Sequence, residues 1–184
     1  MQLDAKTFLR LCEETHKIGF VDAEMSGKNP DYNSLIVVSI LPYGSKVKSF
    51  VVSKVGRDRE VVKAAVEEMN KLECWVTYYG KMFDIPFIQG RLLKHNLPVL
   101  VKKPHLDMYW LMRGNINNAR RSQAFLLEWL DTPEKKMTVG ADVWCSAPYE
   151  GESITTLKTR CESDVKGLKD LYDKGKRFVV DVKR

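Results

Sequence analysis

No Cys-x-x-Cys pair occurs among the 184 residues, and only three histidines are present. The four cysteines, Cys12, Cys74, Cys145 and Cys161, stand far apart in the chain. That spacing argues against a zinc site or a disulfide framework and for reduced, buried thiols in an intracellular, cytoplasmic protein. His16, His95 and His105 show no ligand spacing, so each is read as a structural or surface residue. No run is long and apolar enough to span a bilayer, which leaves no membrane among the expected partners. Met1-Gln2-Leu3-Asp4 lacks the basic and apolar regions of a secretory signal. Repeats and low-complexity segments are absent as well.

What is present is an ordinary globular composition, with 44% hydrophobic and 29% charged residues. The length suits one domain with one core, spanning residues 1–184. A net charge of +6 favours an anionic partner, nucleic acid ahead of a membrane surface.

The periodicity predicts an α/β chain. Phe8, Leu9, Leu11 and Cys12 among charges suggest an amphipathic helix over 4–17. Strands follow at 18–24, at 35–41 with its β-branched run, and at 47–53, separated by turns at 27–31 and 42–45. These three can form an antiparallel meander. Val62, Ala65, Val66 and Met69 mark a helix that Asp58 could cap. Cys74 to Tyr79 is a strand returning after that helix, hence parallel by a right-handed crossover. A helix from Ile85 to His95 and a short strand at 105–108 complete a mixed five-stranded sheet. Residues 109–150 read as broken helix; Trp110, Phe125, Trp129 and Trp144 could stack bases, but their apolar neighbours favour core packing for most of them. The last helix carries Ile154, Leu157, Cys161, Val165, Leu168 and Tyr172 on one stripe and ends near Gly175. Phe178, Val179 and Val180 could add an edge strand.

Four acids stand out. Asp22 and Glu24 end the first strand two residues apart, so they share a face, about 7 Å apart at Cα. Such a pair costs free energy unless a cation or a set of donors lies between the carboxylates, and oxygen ligands suit Mg²⁺ or Mn²⁺. Alternatively, Glu24 lies in the loop and is solvated. Asp84 sits where strand becomes helix and could be an N-cap. Asp164 lies on or beside the buried stripe of the last helix and could pair with Arg160 one turn earlier. Together the four could hold two ions roughly 3.5–4 Å apart, the arrangement used for phosphodiester hydrolysis. Asp107 reads as a structural acid at a strand end. Arg113, Arg120, Arg121, Lys135 and Lys136 could meet backbone phosphates or form a solvated basic face.

The order and spacing of these motifs resemble the 3′–5′ exonucleases of the ribonuclease H-like superfamily, the DEDD or proofreading type. The branch that looks closest is the exonuclease domain of family-B DNA polymerases. The first motif is matched by Val21-Asp22-Ala23-Glu24 with Gly27 beyond, and the second by Tyr78-Tyr79-Gly80-Lys81-Met82-Phe83-Asp84-Ile85-Pro86-Phe87. The third is matched by Cys161-Glu162-Ser163-Asp164-Val165. His105-Leu106-Asp107 and Arg113 also look like family features, and the resemblance runs from about 16 to 173.

The resemblance implies a ribonuclease H-like fold and two-metal-ion hydrolysis of DNA or RNA from a free 3′ end, with single strands favoured. It implies that Asp22, Glu24 and Asp164 hold the ion carrying the attacking water. Asp22 would bridge to a second ion, and Asp84 would support that one. Gly27, Tyr79, Lys81, Phe83 and Arg160 would lie near the substrate. The chain departs from the pattern at three places. Tyr79 stands where the family usually has Asn, and Met25 where Thr is common. Thr159 and Arg160 stand where a Tyr or His positions water, and arginine stays protonated and cannot act as a base. Two rivals follow: a non-catalytic nucleic-acid-binding protein on the same fold, and a structure-selective endonuclease using the same acids.

Overall fold

A computed structural model describes residues 5–179. The β-branched run after Leu35 forms β2 (Leu35–Pro42), which is buried along its whole length because it is covered on both faces. It lies between β3 (Lys48–Val51) and β1 (Ile18–Met25), antiparallel to both. β4 (Cys74–Thr77) runs parallel to β1, and β5 (His105–Asp107) runs parallel to β4. The five-stranded sheet therefore has the order β3-β2-β1-β4-β5, the meander plus two parallel strands.

Alternation along β1 divides the core between two faces. Val21, Ala23 and Met25 pack with Val62, Met69, Phe87 and Ile88 of α2 (Arg59–Asn70) and α3 (Asp84–Lys94). Ile18 and Phe20 pack on the opposite face with Val165, Leu168 and Tyr172 of α7 (Gly151–Gly175). That side also takes α1 (Ala5–Glu14), α4 (Met108–Asn115) and α5 (Gln123–Trp129), while α6 (Ala141–Ser146) meets α7. Asp22 and Glu24 have the parity of Ile18 and Phe20, so they face α7 and Asp164. Helix α7 crosses β1 and β2, and Gly167 lets α5 approach it: a Cβ there would lie 2.8 Å from Leu127 Cδ1.

Several expectations change. Asp58 occupies the cap position of α2, but its side chain makes no cap bond; its carboxylate is fully buried, accepts from Leu35 N at 2.9 Å and pairs with Arg91 of α3 at 2.7 Å. Phe178 and Val179 belong to a 3-10 turn (Lys176–Val179) and not to an edge strand, while Asp4 and Val180 lie outside the described residues. The third strand is shorter than expected, and β4 stops at Thr77, because the chain turns there into the acidic pocket. His16, His95 and His105 bond to the Tyr43 carbonyl, Asp58 and Thr77 respectively. Among the tryptophans, Trp110 and Trp129 are exposed, against the expectation of core packing.

Candidate active site

Two strand ends and one helix face meet at a pocket of about 400 Å³. Asp22 and Glu24 reach it from β1, and a register shift between Glu24 and Met25 ends regular pairing with β2 there. Asp84 arrives as the first residue of α3. Phe83 occupies the cap position with no side-chain cap bond, and Asp84 lines the pocket from the first turn of the helix. Asp164 comes from α7, and Arg160 lies one turn before it on the same face. One oxygen from each of Asp22, Glu24 and Asp164 lies within 4.8 Å of the others.

Three of the carboxylates in this low-dielectric pocket, Asp22, Glu24 and Asp84, resist ionisation. Asp22 is raised well above the carboxylate range, first by lost hydration, then by the charges of Asp84, Asp164 and Glu24. Asp84 rises to about 7, again chiefly through burial, with Glu24 and Asp107 adding to it. Burial also raises Glu24, while the Arg160 guanidinium pulls it back. Two cations partly neutralise the group. Arg160 donates Nε to Glu24 Oε1 at 2.6 Å and Nη1 to the Met137 carbonyl at 3.1 Å, and its Nη2 lies 3.5 Å from Asp164 Oδ2. Its guanidinium also lies 5.1 Å from the Trp144 ring centroid. Lys136 donates to Asp164 Oδ2 at 2.6 Å and to Gln123 Oε1 at 3.1 Å. Gln123 in turn donates to the Asp164 carbonyl at 2.9 Å. The Cys161 thiol, buried beneath the cluster, lies 3.4 Å from Asp22 Oδ2.

The donor set fits a hard divalent cation. Asp164 Oδ1 is buried and has no hydrogen-bond partner among the described residues, a costly state for a carboxylate oxygen unless a cation completes it. Oxygen-only ligands at this spacing suit Mg²⁺ or Mn²⁺.

Of the residues expected near substrate, Phe83 and Arg160 line the pocket, while Gly27, Tyr79 and Lys81 do not. Gly27 is packed on Asn33: a Cβ there would lie 2.4 Å from Asn33 Oδ1. Tyr79 is exposed, with φ at +64°, an unusual value for a bulky residue. Asp107 stabilises that turn by accepting from Tyr79 N at 2.9 Å and Lys81 N at 3.0 Å. Gln123 was invisible in the sequence, and Lys136 stood there only as one of several basic residues. Gln123 owes its place to the packing of α5 on α7, and Lys136 to the loop between α5 and α6, which no periodicity describes.

The comparisons agree with this architecture. The model of the RNase_H superfamily matches residues 19–138. A family B DNA polymerase from the hyperthermophilic archaeon Pyrobaculum calidifontis superposes with a TM-score of 0.71 at 17% identity, over 85% of this chain and 24% of the polymerase. This chain therefore spans about a quarter of that polymerase. Brucella melitensis NrnC superposes with a TM-score of 0.59 at 17% identity, over 89% of this chain and 74% of its own. Its structure with bound Mg²⁺ gives 0.59 at 16% identity, over 89% and 73%. No curated protein matches the sequence. The match over residues 19–138, more than half of its length, places this chain in the RNase_H superfamily.

Proposed function

We propose that this protein is a divalent-metal-dependent 3′–5′ exonuclease acting on single-stranded ends of DNA or RNA and releasing nucleoside monophosphates. The observation that carries the reading is the convergence of Asp22, Glu24 and Asp164 within 4.8 Å, with Asp84 lining the same pocket. A polymerase and a Mg²⁺-bound protein among the structures of the same fold support it.

Asp22, Glu24 and Asp164 would hold one ion, and Asp22 and Asp84 a second. Such ions supply an activated water and stabilise the leaving oxygen. The remaining work falls to the chain itself. Lys136 brings a fixed cation to the pocket wall, where it screens the charge of an entering phosphodiester. Gln123 holds both Lys136 and the helix carbonyl of Asp164, which sets the position of that carboxylate. Phe83 and Ala124 give the pocket an apolar wall for sugar or base.

The Arg160–Glu24 contact favours a second reading, a nucleic-acid-binding protein of low turnover on the same fold. At 2.6 Å the guanidinium engages a carboxylate oxygen that an ion would need. Incubation of the protein with 5′-labelled single-stranded DNA and RNA in Mg²⁺, Mn²⁺ or EDTA separates these readings. The exonuclease yields a ladder shortened from the 3′ end, spares circular strands, falls silent in EDTA and is lost in Asp84→Asn. Cutting of circles would turn the reading to an endonuclease. Binding without hydrolysis under every ion condition would leave the second reading.

A further inference from the structure

An exposed aromatic surface adjoins the acidic pocket and is not explained by core packing. We propose that Tyr79, Tyr109, Trp110 and Arg113 form a stacking platform for unpaired bases of the nucleic-acid strand, outside the pocket itself. The proposal rests on the nucleic-acid reading above and adds a place where the strand is held. Tyr78 joins the two regions. It lines the pocket, and its ring lies edge-on to Tyr109 with centroids 6.0 Å apart. Tyr109 then meets Tyr79 at 4.9 Å and Trp110 at 5.1 Å, both edge-to-face. Edge-on packing covers less of a ring face than parallel stacking does, and Tyr79 and Trp110 remain 43% and 40% exposed. Contiguous exposed aromatics of this kind mark binding surfaces.

The platform is pre-ordered by one carboxylate. Asp107 Oδ1 accepts from Tyr79 N at 2.9 Å and from Tyr109 N at 3.1 Å. A single buried oxygen thus ties the β4–α3 turn to the first turn of α4 and fixes the rings relative to one another. The surroundings suit a polyanion more than an apolar protein segment. Arg113 lies 5.0 Å from the Trp110 centroid, Lys81 is exposed on the same turn, and the carbonyl of the exposed Arg121 accepts from the Tyr78 hydroxyl. Cations interleaved with aromatic faces hold a strand without reading its sequence. The place in the fold is consistent as well. Both segments leave the C-terminal ends of the parallel strands β4 and β5, the edge at which the β4–α3 turn delivers Asp84.

The test uses the full chain in EDTA, so that no hydrolysis intervenes, and measures binding of an eight-nucleotide oligothymidylate and of an abasic strand of equal length and charge. Trp110→Ala and Tyr79→Ala should each weaken binding of the base-bearing strand about tenfold and leave the abasic strand within about twofold. Trp110→Phe should restore most of the loss. Trp129→Ala, an exposed tryptophan outside the platform, should leave both unchanged. Equal losses on both strands, unchanged binding in the two platform variants, or no binding by the wild type would overturn the platform. Unchanged nucleic-acid binding with altered sedimentation in Trp110→Ala would assign the surface to a protein contact. Hydrolysis measured separately in Mn²⁺ keeps the two ideas apart. Base-dependent binding without hydrolysis removes the exonuclease and leaves the platform, and hydrolysis with unaltered platform variants does the reverse.

Discussion

Arg160 is the residue on which the chemistry turns. It remains protonated at any working pH and is held by Glu24, the Met137 carbonyl and the Trp144 ring. A cation so fixed competes with a metal ion for Glu24. Arg160→Tyr is therefore expected to bind Mn²⁺ about tenfold more tightly and to hydrolyse a single-stranded oligonucleotide about tenfold faster in single turnover. The double variant Arg160→Tyr/Asp164→Ala should lose both gains. A slower Arg160→Tyr enzyme would make the guanidinium a positive contributor to the reaction. Asp22 has the opposite part, since it faces Asp84, Asp164 and Glu24 together. Millimolar Mn²⁺ should raise the melting temperature of the wild type, because a ligand bound only by the folded state stabilises it. Asp22→Ala should abolish that rise while melting no lower than the wild type in EDTA, because one repelling charge is gone. A wild-type response in Asp22→Ala would remove the metal site from consideration.

Between elements, a fully buried polar tie lies away from the pocket. Asp58 is wholly buried and joins the start of β2, through Leu35 N, to Arg91 and His95 at the end of α3. Arg91 is itself buried and forms a two-point pair with that carboxylate. Removing one partner leaves the other charge buried and unpaired. Asp58→Ala should therefore lower stability by about 3–5 kcal/mol in urea unfolding. Asp58→Ala/Arg91→Met should recover much of the loss, since it removes both charges. A loss below about 1 kcal/mol would mean that water replaces the pair.

Across the whole molecule, the acidic pocket couples folding to pH and to metal. Asp84 titrates at about 7 in the folded protein against an ordinary 3.8, and Asp22 and Glu24 are raised in the same direction. Between about pH 4 and 7 the folded state thus holds protons that the unfolded chain has released. Stability in EDTA should fall as pH rises through that window, by an amount on the order of a few kcal/mol. Mn²⁺ needs the charged carboxylates, so its stabilising effect should grow over the same range. Urea midpoints at pH 5 and pH 7.5, with Mn²⁺ and with EDTA, check both signs. Metal-free stability that rises across the window would mean that Arg160 and Lys136 suffice to keep the acids ionised.

The sequence by itself determined the strands, the long final helix and the parity of Asp22 and Glu24, because these follow from spacings of two, three and four residues. The β-branched run of β2 and the stripe from Ile154 to Tyr172 belong to the same local code. The meander and the two parallel strands could be read from connection lengths and from the helix that separates Ser53 from Cys74. Tertiary structure alone decided how the pocket is neutralised. Glu24 is 136 residues from Arg160, and Lys136 is 28 from Asp164, so neither contact has a local signature. Exposure had the same limit. Trp110 follows Tyr109 in an apolar stretch that reads as core, and only the packing of α4 beside the β4–α3 turn leaves it at the surface. Asp58 shows why even a well-placed residue misleads: its position favours a helix cap, but a buried arginine 33 residues away binds the carboxylate more strongly.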